Sequence, residues 1–264
     1  MRLTDREEIA GVEQRTLTQR IADDVRRAIT SGEVAPGSAL LSERELGEKY
    51  GASRGTVRRG LAVLVNEGLV TSRSGLGYFV RAYEQLDWYP GTFEHLTQRR
   101  DTAETGADAW ASDVIAQGRT PRQDVDVSII TPPDLVADRL KLDLASDMVV
   151  VRRRLRYVDD VPYQIADSYY PRDVAEGTPI MAPGDVTIPG GLMAAAGHRQ
   201  VRFRDEIAIR MPLPTEGFRL ELPAGTPVAE HVRTGYNSDG RPVRVIMTIV
   251  PGDRHKIIYE VVAE

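Results

Sequence analysis

The sequence predicts an α+β protein with a small helical N-terminal part and a larger part built on a mostly antiparallel sheet. Three observations predict this class. Apolar residues recur at helical spacing up to residue 68, alternating apolar segments follow between residues 124 and 250, and a polar stretch without a clear period, residues 82–108, separates the two. We therefore expect an N-terminal domain over residues 1–81, a linker over residues 82–108 and a second domain over residues 109–264.

The composition narrows the class of protein. The chain has 264 residues, enough for one large or two medium domains, and it has no cysteine, which excludes disulfides and thiolate metal sites. Without a membrane-length apolar run or a signal-peptide pattern, we expect a cytoplasmic protein with no membrane partner. The net charge is −5. However, residues 1–82 hold 13 Lys and Arg against 11 Asp and Glu, whereas residues 83–264 hold 21 against 28, so the front part is mildly basic.

Two helices are predicted first. Residues 16–31 have helical periodicity, and their buried face is expected to hold Leu17, Ile21, Val25 and Ile29. Ser42 and Glu45 form a capping box, in which each side chain satisfies a free backbone N–H of the other residue, so a second helix is expected to begin there. Gly51 ends this helix after about two turns.

A third helix and a hairpin follow. Ser53 is the expected N-cap of a helix that Gly68 ends. Its buried stripe is expected to hold Val57, Leu61, Leu64 and Val65. Short strands at residues 69–71 and 78–80 flank a tip that contains Gly75 and Gly77.

This order of elements is typical of a winged helix-turn-helix, which inserts one helix into the DNA major groove. Arg54, Thr56 and Arg58 lie beside or opposite the buried stripe, so the first two turns of the third helix are expected to present only positive charge. Arginine binds guanine or phosphate through two parallel hydrogen bonds. Arg44 on the second helix is placed for a phosphate or base contact, and Gly75 would let the wing approach a minor groove. Each arginine taken alone is more often part of a solvated helix face; their combination with the helices, turn and wing favours DNA.

Residues 15–81 resemble the GntR family of bacterial transcription regulators. The resemblance is carried by Pro36-Gly37, Leu41-Ser42-Glu43-Arg44, Ser53-Arg54, Thr56-Val57-Arg58, Glu67-Gly68-Leu69-Val70 and Gly75-x-Gly77-x-Phe79-Val80. It implies DNA contacts by Arg44, Arg54, Thr56 and Arg58, a phosphate contact by Ser53 and a minor-groove contact by Gly75. Gly55 stands where the family often has a bulkier residue, which removes one possible contact.

The second part is predicted to be mostly strands. We expect strands at residues 124–130, 148–158, 163–170, 201–211, 228–236 and 242–250 and helices near residues 109–117, 132–142, 190–196 and 214–222. Because strand side chains alternate, Arg152, Arg154 and Arg156 share one face of their strand. On an inner face they would bind an anion, whereas on the surface they would pair with acids of the neighbouring strand; spacing alone leaves both open.

Residues 105–260 resemble the HutC subgroup of GntR regulators, whose effector domain, UTRA, is similar to chorismate lyase. The resemblance is carried by Arg154-Leu155-Arg156, Asp159-Asp160-x-Pro162, Tyr169-Tyr170-Pro171, Asp239-Gly240-Arg241-Pro242 and Gly252-Asp253-Arg254. It implies a pocket for an acidic small molecule or sugar phosphate. The expected effector-binding residues are Arg154, Arg156, Asp167, Trp110 and Gly191.

Two departures from the subgroup bear on the ligand. Ala166 stands where a glutamate is common, and Trp110-Ala111 stands where an aromatic-hydroxyl pair is usual. Both remove polar contacts to an amino-sugar phosphate, which disfavours that ligand. Gly190-Gly191 opens a predicted helix and either donates N–H groups to an anion or forms a plain turn.

Three functions follow from the sequence. The first is a repressor that binds a palindromic, double-stranded operator as a homodimer and is released by a small effector, expected to be anionic. The second is an effector-free regulator, of the type that controls plasmid transfer, whose second domain serves dimerisation alone. The third is a lyase-like enzyme, which is disfavoured because the four histidines, His95, His198, His231 and His255, lack metal-ligand or triad spacing. We predict no enzyme activity, no cofactor and no metal.

Overall fold

The computed structural model describes residues 16–82, 85–91, 109–186, 188 and 191–260. The chain divides into two compact units, one of Met1–Tyr83 with Pro223–Thr226 and one of Glu84–Leu222 with Pro227–Glu264. Within the described residues, no helix combines the length and apolar character needed to cross a bilayer.

The described residues of the first unit form three helices and a two-stranded hairpin, as predicted. They are α1 (Leu17–Thr30), α2 (Glu43–Tyr50), α3 (Arg54–Asn66), β1 (Val70–Arg73) and β2 (Gly77–Val80). The predicted capping box of Ser42 and Glu45 begins α2, and Gly51 ends it with a left-handed φ of 61°. The apolar stripes of the helices meet in one core of Ile21, Ala22, Val25, Leu46, Val57, Leu61, Leu64 and Val70.

Gly60 sets how closely α1 and α3 approach. A Cβ atom at this position would lie 3.0 Å from the carbonyl oxygen of Thr18 and 3.1 Å from Cγ2 of Ile21. These separations are shorter than ordinary van der Waals contact, so a side chain here would require its neighbours on α1 to shift by a few tenths of an ångström.

The described elements of the second unit are β3 (Leu86–Trp88), α4 (Ala109–Ala116), β4 (Pro121–Ile130), α5 (Asp134–Leu140), β5 (Val149–Val158), β6 (Val161–Pro171), α6 (Arg172–Ala175), a 3₁₀ turn (Pro179–Met181), α7 (Gly191–Ala195), β7 (Arg202–Arg210), α8 (Pro214–Arg219), β8 (Val228–Tyr236), β9 (Pro242–Pro251) and β10 (His255–Ile257). Six of these strands form an antiparallel sheet in the order β4-β5-β6-β9-β8-β7. The six long strands and four of the helices match the predicted segments, and the α+β prediction is confirmed.

Strand register gives the sheet two different faces, because directly paired residues share a face. Val151, Tyr169 and Val245 pair across β5, β6 and β9, and they lie in an apolar core with α5. Arg152 pairs with Ser168, and Ser168 with Ile246, on the opposite side. We call this second side, which carries Arg152, Arg154 and Arg156, the arginine face.

The predicted linker is wrong for residues 86–88. These residues form β3, which pairs in parallel with β10. Leu86 and Trp88 are buried, and each belongs to an apolar cluster of the second unit. A three-residue strand has too few positions to display a period, and its partner lies at the far end of the sequence. Residues 83–84 and 92–108 of the predicted linker lie outside the described residues.

Candidate DNA-binding surface and effector site

The turn between α2 and α3 fixes the start of the helix predicted to read DNA. The Ser53 hydroxyl accepts a hydrogen bond from the backbone N–H of Thr56 at 3.2 Å, and the two hydroxyls lie 2.9 Å apart. Ser53 therefore caps α3, as the sequence predicts. This N-terminal end presents free N–H groups and a positive helix dipole, both of which suit a phosphate.

The predicted DNA-contact arginines are exposed. The side chains of Arg54, Arg58 and Arg44 are 76%, 62% and 74% exposed, respectively. Arg44 is paired with Glu48 along α2 at 2.7 Å. At the wing tip, Gly75 has a φ of +74° and open space around it, so its backbone is accessible to a groove. The structure thus keeps all predicted contact residues on accessible parts of the first unit.

Glu43 is the residue that the sequence analysis missed. Its carboxylate accepts hydrogen bonds from Nε of Arg54 at 2.5 Å and from Nε of Arg58 at 2.8 Å. The Arg54 hydrogen bond lowers the pKa of Glu43 most, burial opposes this, and Arg58 adds to the lowering. The first two turns of α3 themselves carry only positive charge, but α2 places an ionised acid against them. Glu43 lies inside the Leu41-Ser42-Glu43-Arg44 motif, but its partners become visible only when α2 packs against α3.

The arginine face of the second unit contains a buried positive cluster. The Ser168 hydroxyl accepts from Nη1 of Arg154 at 3.1 Å and from Nη2 of Arg244 at 3.2 Å. Arg152, which is 1% exposed, donates to the carbonyl oxygens of Ile180, Ala182 and Gly184 at 2.9, 2.7 and 2.7 Å. We call Arg152, Arg154, Arg244, Ser168 and Tyr170 the arginine cluster.

The electrostatics of the arginine cluster favour an anion. Burial lowers the pKa of Arg152 most, and the charges of Arg154 and Arg244 lower it further, whereas Tyr170 and Asp185 act in the opposite direction. Burial raises the pKa of the Tyr170 phenol, but the charges of Arg244 and Arg154 and the nearby Ser168 hydroxyl outweigh it, so its pKa lies below the usual value. Among the described residues, no carboxylate forms an ion pair with Arg152 or Arg154. Arg152 and Arg154 therefore give the cluster buried positive charge that a bound anion would balance.

Arg156 lies on the same face of the sheet, but its neighbours are two glutamine side chains and an aromatic ring. It donates to the side-chain oxygens of Gln123 and Gln164 at 3.2 and 3.3 Å. Its guanidinium lies 4.8 Å from the ring centroid of Trp110, which α4 buries. The structure therefore brings Trp110 and Arg156 together, on the side of the sheet that carries Arg154.

Two predicted effector residues do not join the arginine cluster. Asp167 alternates with Ser168 on β6 and pairs with Met247, so it lies on the opposite, apolar side, where burial raises its pKa. The N–H of Gly191 donates to the carbonyl of Ile188 at 2.8 Å and is not available to an anion. Sequence analysis missed Ser168, Tyr170 and Arg244. The alternation of Ser168 and Tyr170 on β6 was the signal for the first two.

Comparisons with known proteins agree with this architecture. Residues 17–80 match the model of the bacterial regulatory proteins of the gntR family, and residues 116–256 match the UTRA domain. An uncharacterised HTH-type transcriptional regulator of Streptomyces coelicolor is 31% identical over 93% of this chain and 91% of its own length. The HTH-type transcriptional repressor NagR of Bacillus subtilis is 26% identical over 91% and 92%.

Solved structures show the same fold. A crystal structure of a putative GntR-family transcriptional regulator superposes with a TM-score of 0.59 at 24% identity, covering 95% of this chain and 99% of the other. PhnF from Mycobacterium smegmatis superposes with a TM-score of 0.55 at 20% identity, covering 92% and 100%. These matches concern the architecture of the two units.

Proposed function

The chain belongs to the GntR family of bacterial transcription regulators and carries a UTRA effector-binding domain, and from this premise we propose that it is a repressor that binds a palindromic operator as a homodimer and leaves it when a small anionic effector binds. The domains and relatives are those of regulators and not of enzymes. The observation that carries the proposal is the buried arginine cluster, in which no carboxylate of the described residues forms an ion pair with Arg152 or Arg154. NagR of Bacillus subtilis is a repressor, which supports the same role here.

DNA reading is assigned to the first turns of α3. Arg54 and Arg58 are exposed on one side of this helix, and a helix of this kind contacts base edges through its N-terminal residues. Arg44, Ser53, Thr56 and Gly75 complete the proposed surface. Because one helix reads only a few base pairs, specificity requires two half-sites.

The test of DNA reading begins with selection of binding sites from fragmented genomic DNA. We expect an inverted repeat with half-sites about one helical turn, or a multiple of it, apart. The Arg54→Ala and Arg58→Ala variants should each lose about 1–3 kcal/mol of operator binding. Arg27→Ala is the control, because Arg27 is equally exposed but lies on α1 beside Asp24. Normal operator affinity in the folded Arg54→Ala/Arg58→Ala double variant contradicts the assignment.

The edge of the sheet in the second unit supports dimerisation there. β7 ends the strand order, and it exposes Ile207 and Ile209 by 42% and 70%. Such an edge invites pairing with another strand. An antiparallel pairing of β7 with a second copy, centred on Asp205, would place Phe203 opposite Ile207 and Arg204 opposite Glu206. The charge of Asp205 is balanced by Arg233, whose Nε and Nη2 donate to the two carboxylate oxygens of Asp205 at 2.6 and 2.7 Å.

A cysteine cross-link tests this pairing cleanly because the chain has no cysteine. The Arg204→Cys/Glu206→Cys variant should form a covalent dimer on mild oxidation, since the paired positions of the two copies lie within disulfide reach. The Arg122→Cys/Asp124→Cys variant on β4, the opposite edge of the sheet, is the control. If light scattering finds a monomer both free and on DNA, the proposed dimer is rejected. If the protein is a dimer but the β7 cysteines do not cross-link, only the pairing through β7 is rejected.

The effector is proposed to bind the arginine cluster, with Arg156 and Trp110 beside it. Its anionic group would replace the missing counter-charge near Arg154 and accept from the Ser168 hydroxyl. Binding releases DNA only if the effector prefers the conformation that binds the operator poorly. A thermal-shift screen of phosphorylated and carboxylated metabolites should find a ligand that raises the melting temperature and releases the operator.

The strand supplies its own control for the effector site. Arg154→Ala should abolish the thermal shift and the release of DNA, whereas Arg153→Ala should keep both, because Arg153 projects to the opposite face and contacts Ser128 at 2.8 Å. An unchanged response in Arg154→Ala and Arg156→Ala moves the site elsewhere. No response to any metabolite of the neighbouring genes' pathway favours the effector-free regulator, with the second unit serving dimerisation alone.

A further inference from the structure

Glu43 joins the two arginines proposed to read DNA, and we infer that it is a positioning residue that sets base specificity by holding Arg54 and Arg58 in a shared orientation. The inference rests on the proposed DNA contacts of these two arginines. It concerns how the surface discriminates between sequences, which is separate from whether it binds DNA.

The geometry of the contacts fits this role. Glu43 uses one carboxylate oxygen for each arginine and engages only the Nε atom of each. Among the residues that the structure describes, the Nη atoms of Arg54 have no hydrogen-bond partner in the protein. Guanine offers O6 and N7 to a pair of guanidinium nitrogens, so Arg54 keeps its terminal nitrogens for a base while its side chain is held from behind.

The Glu43 side chain is only 15% exposed, against 76% for Arg54. Glu43 therefore acts on DNA through the arginines and not by direct contact. It belongs to the first turn of α2, next to the capping box that fixes where this helix begins. The carboxylate is therefore attached to a rigid element at the junction with α3.

The negative charge of Glu43 weakens DNA binding that does not depend on sequence. DNA binding without sequence preference depends on positive charge near phosphates, and an ionised acid among these arginines reduces that attraction. The compensating gain is a smaller loss of conformational entropy on binding. A free arginine side chain loses several rotatable degrees of freedom when it binds, whereas a pre-positioned one loses fewer. Glu43 therefore lowers general DNA affinity and raises the difference between correct and incorrect sequences.

The experiment compares the Glu43→Gln variant with the wild type on the selected operator and on random duplex DNA of equal length, over a series of salt concentrations. Removal of the carboxylate charge should strengthen binding to random DNA and steepen its salt dependence by about one unit of slope. The ratio of operator to random affinity should fall about tenfold as the arginines lose their common anchor.

Two further variants separate positioning from charge and from folding. Glu33→Gln makes the same charge change at an exposed position away from these contacts, so it should leave the affinity ratio unchanged. Glu43→Asp keeps the charge with a shorter side chain and should restore part of the ratio. Thermal unfolding of each variant reports fold integrity.

Two outcomes overturn the inference. One is an unchanged operator-to-random ratio in Glu43→Gln, and the other is an equal drop of the ratio in Glu33→Gln. A wild-type protein that shows no preference for any selected sequence instead rejects the proposed function, whatever Glu43→Gln does.

Discussion

Acid should destabilise the second unit through His255, which the native protein keeps neutral. Its ring is 6% exposed, packs edge-on against Tyr163 and Trp88, and lies 3.3 Å from the carbonyl oxygen of Pro251 through Nδ1. Burial lowers the pKa of His255 from its ordinary value near 6.5 to about 3. Protonation therefore occurs more readily in the unfolded chain than in the folded one.

The sign and size follow from this difference. A histidine whose folded pKa lies below its unfolded pKa gives its full stabilisation above pH 6.5 and loses it as the pH falls toward 3. Each pH unit below about 6 costs about 1.4 kcal/mol. Between pH 7 and pH 5 the free energy of unfolding should therefore fall by about 2 kcal/mol through this one ring.

Tryptophan fluorescence during urea unfolding measures this in the intact chain, because both tryptophans, Trp88 and Trp110, lie in the second unit. The comparison is between the wild type and His255→Gln, which cannot take up a proton; His198→Gln is the control at a half-buried site. Burial raises the pKa of Asp167, so protonation of this residue stabilises the folded protein as the pH falls. This contribution is the same in all three proteins and cancels in the comparison. If wild type and His255→Gln lose the same stability between pH 7 and pH 5, the reasoning is refuted.

Three further substitutions test the packing and the turns. Gly60→Ala should destabilise the first unit by about 1–3 kcal/mol, because its Cβ would lie only 3.0 Å from the carbonyl oxygen of Thr18 on α1; loss of helical circular dichroism on heating measures this, and an unchanged melting temperature contradicts it. Ser42→Ala should cost about 1 kcal/mol by removing the hydroxyl that caps α2 at the N–H of Glu45, as measured by calorimetry against the exposed control Ser31→Ala. Asp160→Gly should stabilise the β5–β6 turn by about 1 kcal/mol, because Asp160 has a φ of 63°; a lower urea midpoint in the fluorescence assay would argue against turn strain.

Local signals in the sequence were sufficient for most of the fold. Capping residues such as Ser42 and Ser53, and the left-handed Gly51, act over three or four positions, so they can be recognised without knowing the tertiary structure. Alternation over β5 and β6 likewise identified the strands and placed Arg152, Arg154 and Arg156 on one face.

The parts of the candidate site that sequence missed depend on register and packing. Ser168 was recognisable as a strand residue, but its meeting with Arg154 and Arg244 requires the pairing of β6 with both β5 and β9. The same register moved Asp167 to the far side of the sheet, since a shift of one residue reverses the face. Glu43 was not predicted for a related reason. Its ion pairs with α3 arise from the packing of two helices, and the spacing of residues within one helix does not predict such contacts.

The parallel pairing of β3 with β10 has a consequence for how the chain is made. Leu86 and Trp88 leave the ribosome long before His255–Ile257, yet the three-residue ladder they form needs that last strand. Closing so long a loop costs chain entropy and slows assembly. A nascent chain halted before residue 255 therefore leaves the backbone of β3 unpaired and Trp88 without Ile257, which packs against its apolar cluster. Unpaired strand edges of this kind favour aggregation.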